Sequence, residues 1–103
     1  MAEFIQPSQN ISAVVIGATA GVALAANASR VYFQIQNTAT TALYLNFGGA
    51  TASSGNCHEI LKGGTAVNDG VGGLFRSSGG VCFTGQVAVG GTAPAFLVYE
   101  LAP

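Results

Sequence analysis

The stretch "RVYFQIQN" (residues 30–37) decides how the chain is read, because its apolar residues recur at every second position. Val31, Phe33 and Ile35 fall on one side of an extended backbone, and Tyr32, Gln34 and Gln36 on the other. That alternation marks a strand with one face in a core. After "TATT" the pattern returns in "ALYLNFG" (42–48), with Leu43, Leu45 and Phe47 on one face and Tyr44 and Asn46 on the other. A four-residue connection between two alternating runs predicts an antiparallel hairpin.

On the C-terminal side, "GATASSGN" (49–56) has the composition of a surface loop, and "CHEILK" (57–62) reads as a short strand stopped by Gly63 and Gly64. Asn68-Asp69-Gly70 marks a turn, since these residues accept left-handed backbone. Further strands are expected at "GLFR" (73–76), at "VCFTGQVAVG" (81–90), which Gly85 interrupts, and at "AFLVYEL" (95–101). In the last of these, Phe96 and Val98 share a face with Glu100, while Leu97, Tyr99 and Leu101 share the other. Glu100 in so apolar a strand is expected to cap a sheet edge or to meet Arg30 or Arg76.

On the N-terminal side, "VALAANASR" (22–30) imitates the Ala-x-Ala cleavage site of a secretory signal. The preceding "MAEFIQPSQN" offers Glu3 and no lysine or arginine, so the cationic start of such a signal is missing and the segment is expected to stay in the fold. Residues 11–28 are also nearly long and apolar enough for a membrane helix. They are mostly small residues, however, and Gly17 and Gly21 divide them. The better reading is two strands, "ISAVVIG" (11–17) and "GVALAAN" (21–27), followed by a turn in which Asn27 supplies the conformation and a side-chain hydrogen bond and after which Arg30 opens the next strand. Residues 1–10 lack alternation and contain Pro7, which suggests an extended arm with Phe4 and Ile5 able to dock on a neighbour. Residues 11–103 then make one all-β domain, an antiparallel β-sandwich or small barrel, jelly-roll-like, of about seven or eight short strands.

Composition narrows the function. A chain of 103 residues fits one domain, and its 15 glycines and lack of tryptophan favour short strands and tight turns. Only 7% of residues are charged, against about 25% in ordinary domains. Charge keeps free monomers apart, so a surface this neutral is expected to be covered by copies of itself or by a partner. Three scattered cations and a net charge of −1 give no footprint for a nucleic-acid backbone, and no basic amphipathic segment addresses a membrane surface.

Catalytic patterns are missing. His58 directly follows Cys57, and adjacent strand residues point to opposite faces, which disfavours a nucleophile–base pair. Two cysteines and one histidine lack zinc spacing, and no metal or cofactor is expected. Cys57 and Cys82 are instead candidates for a disulfide, worth about 3–4 kcal/mol by chain entropy, or for two small buried hydrophobes. Glu3, Glu59, Asp69 and Glu100 show no paired spacing for acid–base work, and the glycine pairs lack the Lys-Ser/Thr of a phosphate loop. The sequons Asn10-Ile-Ser12 and Asn27-Ala-Ser29 read as chance matches without a secretory signal.

The segments "LAANASR", "IQN", "ALYLNFGGATASSG", "FTGQVAV" and "VYEL" together resemble a group of small tailed-bacteriophage virion proteins of the capsid decoration, or cement, type. The matching positions are Leu24, Asn27, Arg30, Asn37, Leu43, Tyr44, Phe47, Gly48, Gly63, Phe83, Thr84, Gly85 and Glu100, spread over residues 22–101. In the middle, the glycine-rich "KGGTAVNDGVGGLFRSSGG" replaces the Pro-Gly and Tyr-rich segment of that pattern. The resemblance implies a β-structured virion component without catalysis, made in the host bacterial cytoplasm. Its partners would be the major capsid protein and further copies of the chain, most simply as a homotrimer on the outer capsid surface. Two readings of other classes stand beside it. One is a tail-tip module that recognises host glycan through Tyr32, Tyr44 and the loop 49–56. The other is a self-assembling surface filament subunit.

Overall fold

The computed structural model describes residues 10–11, 15–77 and 82–102. Among them are nine short strands and no helix: β1 (Asn10–Ile11), β2 (Val15–Gly17), β3 (Gly21–Leu24), β4 (Tyr32–Asn37), β5 (Leu43–Phe47), β6 (Glu59–Leu61), β7 (Leu74–Arg76), β8 (Val87–Gly90) and β9 (Phe96–Ala102). They form two antiparallel sheets. In the first, β9 lies between β4 and the pair β1 and β2, and β7 closes the far edge; the second runs β3-β8-β5-β6. The segment expected as one strand over 11–17 appears as β1 and β2, both paired with β9. Asn10, counted with the expected arm, pairs with Ala102, and the rest of that segment, Phe4 and Ile5 included, lies outside the described residues. β9 keeps its expected length, moved on by one residue, while the other strands are shorter at their ends than expected, most of all 81–90, which pairs only from Val87 onward.

The two sheets share one core. Phe33, Ile35, Phe96 and Val98 from the first pack against Leu24, Leu43, Leu45, Leu61, Val87 and Val89 from the second. Burial of such side chains contributes about 1.5–3 kcal/mol each, which orients every strand. One position departs from the expected alternation. Val31 precedes β4 and is 44% exposed, and Asn37 takes the third inward place on that strand.

The expected hairpin between residues 30–37 and 42–48 does not form. β4 pairs with β9 and β7, whereas β5 pairs with β8 and β6, so residues 38–42 arch from one sheet to the other. Alternation specifies which face of a strand is buried and leaves its ladder partner open, so two strands facing each other across a core show the same pattern as two lying side by side. Asn37 fixes the arch. Its Nδ2 donates to the carbonyls of Thr41, Leu61 and Lys62 at 2.8, 3.0 and 3.0 Å, and its Oδ1 accepts from the Ala39 amide at 2.9 Å. Thr38 still holds to the β9 side, its amide donating to the Ala95 carbonyl at 2.9 Å one residue beyond the Asn37–Phe96 pair, so the arch leaves the first sheet after it.

The disulfide considered for Cys57 and Cys82 is also not made: both thiols are free. Cys57 is placed by the 53–56 turn and the following His58, whereas Cys82 packs against the core with its thiol 3.6 Å from the Phe83 carbonyl.

The loop after β5 does more than connect. The Gly48 amide donates to the Gln86 carbonyl, Gln86 Nε2 donates to the Gly49 carbonyl, and Asn46 Nδ2 donates to the Asn56 carbonyl. The loop thereby lies over the outer face of the second sheet, where Asn46 and Ala88 are 5% and 0% exposed although they point away from the core. Gly90 is required beneath it, since a Cβ there would overlap the Ala52 carbonyl oxygen.

Substituting Gly90→Ala should therefore lift the loop and cost about 1–3 kcal/mol. Urea denaturation together with limited proteolysis in the loop checks this; unchanged stability and unchanged cleavage would contradict the close approach.

Candidate functional site

The densest polar chemistry in the molecule is internal. Arg30 has a fully buried side chain, and its guanidinium is satisfied on all three nitrogens. Nε donates to Glu100 Oε1 at 2.7 Å, Nη1 to the carbonyls of Phe83 and Gly85 at 2.8 and 3.0 Å, and Nη2 to the Ala25 carbonyl at 2.6 Å. The Phe33 ring lies under it, 5.4 Å from ring centroid to Cζ, a cation–π distance. Asn27 completes the knot. Its Nδ2 donates to Glu100 Oε2 at 3.2 Å, its amide donates to the Thr84 carbonyl at 2.8 Å, and its Oδ1 accepts from the Ser29 amide at 3.1 Å. The turn 27–30, the segment 83–85 and β9 are thus tied at one point. Glu100 points inward with Phe96 and Val98, and it meets Arg30. This arrangement holds a fold, with every guanidinium nitrogen engaged inside it.

His58 is similarly occupied. Its Nδ1 accepts from the Phe47 amide at 3.1 Å, and its ring stacks on Phe47 at 5.6 Å with 15° between planes. The imidazole therefore pairs with backbone, not with the neighbouring Cys57. Among the described residues, no three of His, Cys, Asp and Glu gather into a metal set.

Two surface places remain. The first is the outer face of the first sheet, where Tyr32, Gln34, Gln36, Leu74, Arg76, Leu97 and Tyr99 stand in cross-strand register. Tyr32 and Tyr99 both donate to Gln34 Oε1, at 3.0 and 3.2 Å, with their rings 6.1 Å apart. Burial and then the adjacent Tyr99 phenol raise the Tyr32 hydroxyl above its ordinary pKa, against the opposing pull of Arg76. The second is a depression of about 370 Å³ beside the loop over the other sheet, lined by Ala20, Tyr44, Ala52, Ser53, Ser54, Gly91 and Thr92.

These placements correct one expectation. Tyr32 and Tyr44, which were grouped in a single glycan-binding surface, lie on different sheets, both facing away from the core. Tyr44 does stand with the loop 49–56. Sequence reasoning missed Thr92, Gln34 and Asn37; the last had a visible signal, a polar residue at an inward position of an alternating strand.

A third polar cluster closes the 64–71 loop. Asp69 accepts from the Thr65 amide and hydroxyl at 2.9 and 2.6 Å, from the Ala66 amide at 2.8 Å and from the Val71 amide at 2.9 Å. Asn68 precedes it at φ 60°, the left-handed conformation expected of this turn. The Thr65 hydroxyl, then the Val71 and Ala66 amides, lower its carboxyl pKa to about 2.

No protein-family model, curated protein or solved structure matches this chain.

Removing one partner of a buried ion pair costs about 3–5 kcal/mol, and Arg30→Ala should fall in that range in urea denaturation. Arg30→Lys should recover only part of it, since one ammonium cannot reach Glu100 and three carbonyls together; full recovery would show that charge alone matters. For Asp69 the folded pKa lies below the ordinary 3.8, so its contribution to stability is complete above that value and is lost as pH falls towards about 2. NMR titration should find the Thr65, Ala66 and Val71 amides moving together near pH 2, and a midpoint near 4 would contradict the four-bond geometry.

Proposed function

We propose that the protein is a non-enzymatic structural component of a bacteriophage virion, a decoration protein that binds the outer surface of the major capsid shell as a homotrimer and stabilises it. The supporting observation is how little charge the exterior carries. Of seven charged residues, Arg30 and Glu100 are joined inside the fold. Glu59, Lys62, Asp69 and Arg76 are the other charges among the described residues. A surface of amides, hydroxyls and small aliphatics has little to prevent close contact between copies, and it suits permanent coverage better than free diffusion.

The contact face in this reading is the outer side of the first sheet. It presents two phenols, two glutamine amides, the aliphatic side chains of Leu74 and Leu97 and one charge, Arg76, with Leu74 44% exposed. Aromatic and amide groups of this kind form contacts that combine apolar area with hydrogen bonds. Attachment is passive: a trimer touching several capsid subunits gains effective concentration, so weak contacts add up without any chemical step.

Many copies per particle are expected. Quantitative mass spectrometry of purified virions measures the ratio to the major capsid protein, and five or fewer copies per particle would overturn the proposal.

A further inference from the structure

We propose that the depression between the 52–54 turn and the corner at Gly91 and Thr92 binds a neutral saccharide. Its volume, about 370 Å³, lies at the small end of the ligand-site range. One aromatic residue stands in its wall: Tyr44, on the outward face of β5, with Gly90 as its partner on β8 and so no side chain crowding that flank. Around it are the hydroxyls of Ser53, Ser54 and Thr92.

Some hydroxyls are used inside the fold: Thr41 Oγ1 donates to the Thr92 carbonyl, Thr65 Oγ1 to Asp69, Tyr32 and Tyr99 to Gln34, and Ser77 Oγ accepts from the Phe33 amide. The side-chain hydroxyls of Tyr44, Ser53, Ser54 and Thr92 engage no partner among the described residues. Four hydroxyl-bearing side chains, one of them aromatic, thus line one hollow.

The rim is also pre-set. Ser53 and Asn56 exchange backbone hydrogen bonds at 3.1 and 3.0 Å, which fixes the turn, and the 2.7 Å bond from Thr41 fixes Thr92. Groups already held in place lose little freedom on binding. No charged side chain lines the hollow, so nothing there would repay the desolvation of a phosphate, a carboxylate or an ammonium. The chemistry left is a ring with an apolar face and several hydroxyls, which is a neutral sugar. A second depression among the described residues, lined by Gln36, Thr38, Asn68, Gly70 and Leu97, has no aromatic ring, and its Gln36 amide already donates to the Gly70 carbonyl.

The test is an amide-resolved NMR titration of the full chain with the methyl glycosides of glucose, galactose, rhamnose and N-acetylglucosamine, and with dextran and galactan oligomers. At least one probe should give saturable shifts at Tyr44, Ser53, Ser54, Gly91 and Thr92, with a Kd on the order of 1 mM for a single sugar. Tyr44→Ala should weaken that binding at least tenfold, while Tyr32→Ala on the other sheet leaves it unchanged. Should Tyr44→Ala fail to fold, Ser54→Ala on the exposed turn serves instead and should weaken binding several-fold. No saturable shift with any probe, shifts that map to the first sheet, or unchanged binding by the folded variant would each overturn the proposal. Virion copy number is untouched by these outcomes, so this inference and the assembly role can fail separately.

Discussion

A guanidinium has five N–H donors and a charge it cannot give up, so burying one is tolerable only where acceptors surround it. Arg30 is in that position, with a carboxylate, three carbonyls and an aromatic face arranged about it. The requirement runs both ways. Glu100 turns inward because the guanidinium is there, and the 83–85 segment lies where its carbonyls can be reached. Asn27 spans the remaining gap, fastening the end of the β3 excursion to β9. The hydrophobic core gives the sandwich its cohesion, but this knot sets which segments meet at its open end.

How much of this was legible in the sequence follows from what alternation can say. Phe33, Ile35, Leu43 and Leu45 announced their inward faces, and the all-β sandwich followed from them. The pairing of β4 with β9 was invisible, because a strand's alternation is the same whichever neighbour completes its ladder. The arch at 38–42 depends on one amide side chain, Asn37, reaching three carbonyls, a geometry that exists only after the second sheet is in place. Of the candidate sites, Tyr44 and the loop 49–56 were readable as an outward aromatic beside a polar segment. Thr92 was not, since the corner that carries it comes beside Tyr44 only through the pairing of β5 with β8.

Several of the motif positions singled out in the sequence have a specific place in the structure. Asn27, Arg30, Asn37, Glu100 and the 83–85 segment are the residues of the two internal polar networks. They specify how a chain of this kind closes, and they are not surface residues that would touch a capsid. The motifs therefore speak most directly about fold, while the case for assembly rests on the neutrality of the exterior and on the face around Tyr32, Gln34 and Tyr99.

The central place of β9 also governs the order of events during synthesis. β1, β2 and β4 all require β9 as their ladder neighbour, and the carboxylate that neutralises Arg30 sits on it. Every one of those pairings spans most of the chain, so β4 can pair with β7 early but the first sheet is not complete until residues 96–102 have left the ribosome. Pairings of such long sequence separation make folding slow, and the core side of the second sheet lacks its full cover until then. A nascent chain with a net charge of −1 has little repulsion to protect it in that interval. Production of the protein is thus a race between completion of one chain and its contact with another, and the outcome depends on the rate of translation and on crowding as much as on the stability of the finished sandwich.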